Sequence, residues 1–175
     1  MARTAGTRAD LLQHPLLTTG GLFVEAHAGM TGVVDRRLEA ESGLSMQWFE
    51  VLIRLARSPG KRLRMTDLAA QTILTPSGLT RAVDRLVAAG LVEREACPSD
   101  RRSTYAVLSP EGERRVRKAL PVHVAHLEEV FEAEFSPAEI ETFTALLRRL
   151  RDATNPCAAQ ASTPEGLGDL PGGGC

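Results

Sequence analysis

The chain has 175 residues, 43% of them apolar and only 4% aromatic, and its formal net charge is -1. This length fits one domain, and an apolar content carried mainly by Leu, Ala and Val favours packed helices. No stretch approaches the roughly 18 consecutive apolar residues of a membrane span, and the first residues lack the apolar core of a secretory signal, so we expect a cytoplasmic protein.

Basic charge is concentrated in the middle of the chain. Between Arg57 and Lys118 there are 13 Lys and Arg against 7 Asp and Glu, whereas the rest of the chain has 8 against 15. Such segregation is typical of a domain that presents one face to a polyanion. A solvated surface gives the same count, so charge alone leaves nucleic-acid binding undecided.

The chain opens with a polar segment, residues 1–14, which we expect to form a flexible arm. From Pro15, apolar residues recur at steps of three and four. This pattern predicts a long amphipathic helix over residues 15–42, with Gly43 as its stop.

Two short helices are predicted after a helix over residues 45–57. The first begins with Thr66 as its cap and runs to about Thr72. The second has Thr75 as its cap and Gly90 just past its end. Two short helices joined by a brief turn are typical of a helix-turn-helix.

The second of these helices is amphipathic. At 100° per residue one face is apolar, made by Leu79, Val83, Leu86 and Val87. The other face is polar, made by Ser77, Thr80, Arg81, Asp84 and Arg85. Short hydroxyl side chains permit a close approach, arginines reach guanine edges or phosphates, and the helix N-terminus at Thr75 offers N–H groups to a phosphate. This face therefore predicts a reader of the DNA major groove, with an ordinary surface helix as the alternative.

After Gly90 the apolar period changes to two. The segments "LVEREA" and "STYAVLS" predict the two strands of a hairpin, and "CPSDRR" is its turn. Arg101 and Arg102 at the tip suit a narrow, negative minor groove. Asp100 is expected to hold a neighbouring arginine in place, because a carboxylate itself is repelled by phosphates.

Two further helices complete the predicted order, over residues 110–153. Ser109 and Ser136 are caps, and each is followed by a proline. Residues 154–175 contain five Gly and three Pro without periodicity, so we expect a disordered tail.

This order of elements, with "LTPSGLTRAVDRLVAAGLVER" followed by "PSDRRSTYAVLSPEGE", resembles the MarR family of bacterial regulators. The resemblance implies a mainly α fold with a small β-hairpin wing over residues 15–153. Within it, residues 45–109 form a winged helix-turn-helix lobe, and residues 15–42 and 110–153 form a helical dimerisation region.

The resemblance also implies a function. It predicts a homodimeric transcriptional regulator, a ligand-responsive repressor, that binds a palindromic operator in double-stranded DNA. The Asp-x-Arg wing motif of the family matches Asp100 and Arg102, and its arginine enters the minor groove.

Family members respond to small ligands, often phenolic or aromatic acids, bound between the dimerisation helices and the DNA-binding lobe. By that resemblance, a ligand site would draw on an aromatic wall, imidazoles and a cation, namely Trp48, His14, His27 and Arg54. A core role for Trp48 is the alternative.

Other switches and functions are less well supported. His123 and His126, with His27 or Glu25, complete no recognised zinc pattern, so we expect no metal and no cofactor, with a metal-responsive regulator of the same fold as an alternative. The cysteines Cys97, Cys157 and Cys175 form no CxxC pair. Positive charge around the wing favours a thiolate at Cys97, which leaves redox sensing as an alternative to an incidental surface thiol. No phosphate loop or nucleophile motif indicates an enzyme, and a protein-interaction module of the same fold is the nearer rival.

Overall fold

The computed structural model describes residues 11–97, 103–156 and 158. In chain order, the α-helices and strands of these residues are α1 (Pro15–Ser42), α2 (Met46–Arg57), β1 (Arg62–Arg64), α3 (Met65–Gln71), α4 (Pro76–Ala88), β2 (Val92–Ala96), β3 (Thr104–Leu108), α5 (Pro110–Glu134) and α6 (Pro137–Thr154). The mainly α fold with a small β wing is thereby confirmed.

Most helix boundaries lie where the capping residues predict them. Ser45 accepts a hydrogen bond from Trp48 N, and Ser109 accepts one from Gly112 N. Gly43 ends α1 with a φ of 69°, a left-handed conformation that glycine adopts without strain. The prediction of Thr66 as a cap was wrong, because strand β1 runs directly into α3 and places Arg64 at the cap position.

The wing is a three-stranded antiparallel sheet in the order β1-β3-β2. Strands β2 and β3 form the predicted hairpin, with Val92 opposite Leu108 and Ala96 opposite Thr104. Strand β1 was not predicted. It has only three residues, too few to show alternation, and its pairing with β3 is long-range.

The core lies between the last turns of α1, helices α2, α3 and α4, the sheet and the first half of α5. It is built from fully buried leucines, valines and one phenylalanine, including Leu38, Leu52, Leu55, Phe49, Leu68, Leu79, Val83 and Leu86. One predicted member of the α4 apolar face was wrong, since Val87 is 37% exposed. Ala82 is buried in its place.

The outer helices leave much of their apolar surface exposed. None of the residues of α6, all of which the structure describes, is buried. Large exposed side chains on α1 and α6 include Leu16, Leu17, Leu22, Phe23, Val24, Phe143, Leu146 and Leu150. Large apolar side chains left exposed in this number are typical of an interaction face.

Among the described residues, no helix is both long and apolar enough to cross a bilayer. Residues 1–10 of the predicted arm and residues 159–175 of the predicted tail lie outside the described residues. At the start of the tail, Asn155 Nδ2 donates to Ala70 O at 2.8 Å, so this residue contacts the winged lobe.

Candidate nucleic-acid interface

Helix α4 presents the predicted polar face to solvent. Its apolar side packs into the core, and its exposed residues include Ser77, Thr80, Arg81 and Arg85. The helix starts at Thr75, whose Oγ1 accepts a hydrogen bond from Gly78 N at 3.1 Å. Packing on one side therefore fixes the direction in which the other side points.

Hydrogen bonds within the lobe orient two of these side chains. Thr80 Oγ1 donates its hydroxyl proton to Pro76 O at 3.0 Å. The oxygen lone pairs of Thr80 therefore remain to accept a hydrogen bond. Arg85 Nη2 donates to Gln47 Oε1 of α2 at 3.1 Å. Thr80 is thus suited to accept a hydrogen bond from a base, and Arg85 is held against α2.

The wing is tied to α4 by an ion pair. Arg94 Nη2 of β2 lies 2.8 Å from Asp84 Oδ1 of α4. Three predicted wing residues, Asp100, Arg101 and Arg102, lie outside the described residues.

Sequence reasoning missed a cluster of arginines around Tyr105. The Arg62 guanidinium carbon lies 4.9 Å from the centre of the Tyr105 ring. Arg64 Nε donates to Tyr105 Oη at 3.2 Å, and this hydrogen bond raises the pKa of Arg64. Both arginines belong to β1. The segment "RLRM" alone does not indicate that they meet Tyr105, because the contact depends on the long-range pairing of β1 with β3.

Cys97 was expected to be a surface thiol, and this is wrong. Its side chain is buried at the turn end of the hairpin, with Sγ 3.9 Å from Tyr105 Oη. Cys157 and Cys175 lie outside the residues whose side chains the structure describes.

Comparisons with known proteins agree with this geometry. A family model described as MarR family matches residues 42–103. The chain is 32% identical over 108 residues to the HTH-type transcriptional repressor YetL of Bacillus subtilis, covering 62% of this chain and 64% of YetL. It is 30% identical over 108 residues to the HTH-type transcriptional regulator MhqR of Bacillus subtilis, covering 62% of this chain and 72% of MhqR.

A solved structure extends the likeness to most of the chain. The crystal structure of Sco3205, a MarR family transcriptional regulator from Streptomyces coelicolor in complex with DNA, is similar with a TM-score of 0.72 and 32% identity. The match covers 80% of this chain and 91% of that chain. The chain belongs to the MarR family. It is therefore a transcriptional regulator of that family and not an enzyme.

Four residues of this MarR-family protein were predicted to form a ligand site, and the structure separates one of them. His14 caps α1, with Nδ1 accepting from Leu16 N at 3.2 Å. His27 lies thirteen residues further along the same helix, roughly 20 Å away at 1.5 Å per residue. Within one chain, His14 and His27 do not line the same pocket.

Of the other three residues, His27 and Arg54 act on the charge of Glu50, whereas Trp48 packs against the hydrophobic core, as the alternative for it predicts. Trp48 and Arg54 are half-buried on α2. Burial raises the pKa of Glu50, while the neighbouring Arg54 and His27 act to lower it. Burial lowers the pKa of Arg54, and its Nε has no hydrogen-bond partner among the described residues. Glu50 also accepts a hydrogen bond from Ile73 N at 3.4 Å, in the turn before α4.

Helix α5 carries two histidines, three residues apart, on its middle turns. His126 is buried, and neither of its ring nitrogens has a hydrogen-bond partner in the part of the chain that the structure describes. The His123 ring packs on Phe49 with ring centres 4.8 Å apart. Burial lowers the pKa of His123, and the adjacent His126 lowers it further. No group of three or more metal-ligating side chains occurs within the described ranges.

Proposed function

We propose that this MarR-family protein is a cytoplasmic, homodimeric regulator that binds a palindromic operator in double-stranded DNA and acts as a repressor. The observation that carries the proposal is α4, a helix with a buried apolar side and an exposed face of hydroxyls and arginines, placed beside a wing. Sco3205, which shares the fold and 32% of its residues with this chain, was crystallised with DNA. YetL, at 32% identity, is named as a repressor.

Individual roles follow from side-chain chemistry. Ser77, Thr80 and Arg81 contact base edges, because they lie on the exposed face near the start of α4. Arg85, one turn further on, contacts phosphate, and the N–H groups that follow Thr75 face a second phosphate. Thr80 favours a base that offers a donor, adenine or cytosine, since its own proton is engaged.

The tip of the wing is proposed to bind the minor groove. Arg102, with Arg101 beside it, enters the groove, and Asp100 holds the tip in register. The support is the match of these residues to the Asp-x-Arg motif of the family, together with the attraction of arginine to narrow A·T-rich grooves.

Dimerisation is supported by the exposed apolar side chains of α1 and α6. Packing two copies through these helices removes that surface from water. A twofold dimer then presents two copies of α4, and a palindromic operator matches this symmetry.

Ligand response is proposed for the region of His27, Trp48 and Arg54. The Arg54 guanidinium is half-buried, and a small aromatic or phenolic acid supplies the anion that Arg54 pairs with and the ring that Trp48 packs on. Such an anion competes with the Glu50 carboxylate. Glu50 also accepts a hydrogen bond from Ile73 N, in the turn before α4. Displacing Glu50 from Arg54 would therefore also change the contact that holds this turn.

The experiment is binding-site selection from a random-sequence duplex library, followed by sedimentation of the complex. We expect an inverted repeat whose half-sites are centred roughly one helical turn apart, about 10 base pairs, or a multiple of it, bound by two chains. Failure to enrich any sequence, together with a duplex affinity that is insensitive to salt, would favour a protein-interaction module instead.

A further inference from the structure

We propose that the cleft between α4 and the wing is the binding site for one phosphate of the DNA backbone, held by Arg64 and Arg94. This inference rests on the proposed function and adds to it a site outside the recognition helix and the wing tip. Neither arginine belongs to the face of α4 or to the tip motif.

The cleft is polar and has the size of a small anion site. Its volume is about 240 Å³, and it lies where the end of β1, the start of α3, helix α4 and the turn-side half of the hairpin meet. Besides the two arginines its lining includes four hydroxyl side chains, Thr66, Thr80, Ser103 and Thr104. Guanidinium groups and hydroxyls are the side chains that most often contact DNA phosphates.

The position of the cleft identifies its occupant. In the proposed complex α4 occupies the major groove, and the wing reaches the adjacent minor groove. Two adjacent grooves of a duplex are separated by one sugar–phosphate backbone. A cleft between the two elements that read these grooves must therefore lie over that backbone.

Both arginines are held in place by neighbouring side chains. Arg64 Nε donates to Tyr105 Oη at 3.2 Å, and its guanidinium carbon lies 5.8 Å from the centre of the Tyr105 ring. Arg94 Nη2 pairs with Asp84 Oδ1 at 2.8 Å. A guanidinium carries five N–H donors in a planar fork that fits phosphate oxygens. Anchoring lowers the entropy lost when the phosphate binds.

Nearby carboxylates favour a phosphate of a duplex over a free ion. Asp84 pairs with Arg94, and the charge of Asp67 acts on Arg64. These charges offset part of the positive potential of the cleft. Occupancy therefore depends on a duplex already held by α4, and the relevant probe is operator DNA and not inorganic phosphate.

The test compares Arg64→Ala and Arg94→Ala with a matched control, Arg62→Ala. Arg62 belongs to the same short strand and also packs on Tyr105, but it pairs with Glu95 at 3.7 Å and does not line the cleft. Affinity for the selected operator and for a scrambled duplex is measured across a salt series, after thermal unfolding confirms that each variant is folded. Arg64→Lys and Arg94→Lys serve as charge-retaining variants if an alanine variant is unfolded.

In each cleft alanine variant, we expect the slope of log affinity against log salt concentration to be smaller by about one unit. The affinities for the operator and for the scrambled duplex should fall by the same factor. The control should leave the slope close to that of the wild type. A second measurement uses operators that each carry one neutral methylphosphonate. At one position per half-site, replacing the phosphate with methylphosphonate should lower the affinity of the wild type. The same replacement should not lower the affinity of Arg64→Ala further.

The inference would be overturned if both cleft variants kept the wild-type salt slope, or if Arg62→Ala reduced that slope as much as they do. The proposed function would stand in either case. A wild-type protein that binds no duplex at any salt concentration would overturn both. If the lysine variants are needed, they should keep the slope but lose affinity, because lysine lacks the planar fork; wild-type affinity in both would count against the site.

Discussion

Asp84 on α4 and Arg94 on β2 form an ion pair of 2.8 Å that connects α4 directly to the wing. The Asp84 side chain is 60% exposed and that of Arg94 is 33% exposed, so water screens the pair. Exposed pairs of this kind stabilise a fold by roughly 1 kcal/mol at most. In the proposed complex, the pair helps to set the angle between the two elements that contact one duplex.

A double-mutant cycle on this pair should therefore show a small coupling. We expect Asp84→Ala and Arg94→Ala to be coupled by less than about 1 kcal/mol in the free energy of unfolding, with a smaller value at high salt. Denaturant unfolding of the four proteins at two salt concentrations measures it. A coupling well above this value that did not depend on salt would mean that the pair is shielded from water.

Charged substitutions in the apolar faces of α1 and α6 should dissociate the dimer. Phe23 is 50% exposed in the single chain and Leu146 is 51% exposed. The variants Phe23→Glu and Leu146→Glu each replace one of these apolar side chains with a carboxylate. Burying such a charge in an interface is costly, so we expect monomers at micromolar concentration in sedimentation measurements.

The matched control for the dimer is Ile73→Glu. Ile73 is also a large exposed apolar residue, at 70%, but it lies in the turn before α4. This variant should remain dimeric. A wild-type protein that sediments as a monomer, or a dimer that tolerates all three substitutions, would contradict the proposed interface.

Gly112 should not tolerate a side chain. A Cβ at this position would lie 2.0 Å from Leu91 O and 2.9 Å from Leu108 Cδ1, because the start of α5 packs closely against the base of the wing. Gly112→Ala should lower the free energy of unfolding by about 1–3 kcal/mol or more. In Gly29→Ala, where no other atom lies within 4 Å of the new Cβ, the same change should be neutral or stabilising by up to about 1 kcal/mol. Equal effects in the two variants would refute the packing argument.

Stability should fall on the acidic side of neutrality, in part through His123. Burial lowers the pKa of His123 in the folded protein, so the neutral ring is favoured there. Below about pH 6.5, the ordinary histidine pKa, the unfolded chain takes up a proton that the folded His123 does not. The free energy of unfolding therefore decreases as the pH falls through this range. Unfolding curves at pH 7.5 and 5.5 should differ less for His123→Gln than for the wild type, and an unchanged difference would exclude His123 as a contributor.

Local signals predicted much of this structure because they are contained in few neighbouring residues. The caps at Thr75 and Ser109 are hydrogen bonds to a backbone N–H three residues further on, so the sequence shows both partners. The exposed face of α4 follows from helical periodicity in the same way. Val87 was misplaced because periodicity alone does not show where the packed surface ends.

The remaining features depend on contacts between distant segments. Strand β1 exists through its pairing with β3, in which Arg64 lies opposite Tyr105, 41 residues away. The cleft of Arg64 and Arg94 is assembled by that pairing and by the Asp84 ion pair, so no single segment indicates it. The burial of Cys97 likewise results from tertiary packing, in which its Sγ lies near Tyr105 Oη.

The most direct test of the central claim is the ratio of affinities for the selected operator and a scrambled duplex of the same length, in the wild type and in Arg81→Ala. At physiological salt we expect the wild type to prefer the operator by about 1,000-fold or more. Arg81→Ala should lose about 1–3 kcal/mol of operator affinity and relax the preference at one base position, whereas Arg149→Ala, an exposed arginine on α6, should keep the wild-type ratio. Equal affinity of the wild type for the two duplexes, or an unchanged ratio in Arg81→Ala, would contradict the assignment of α4 as the element that reads DNA sequence.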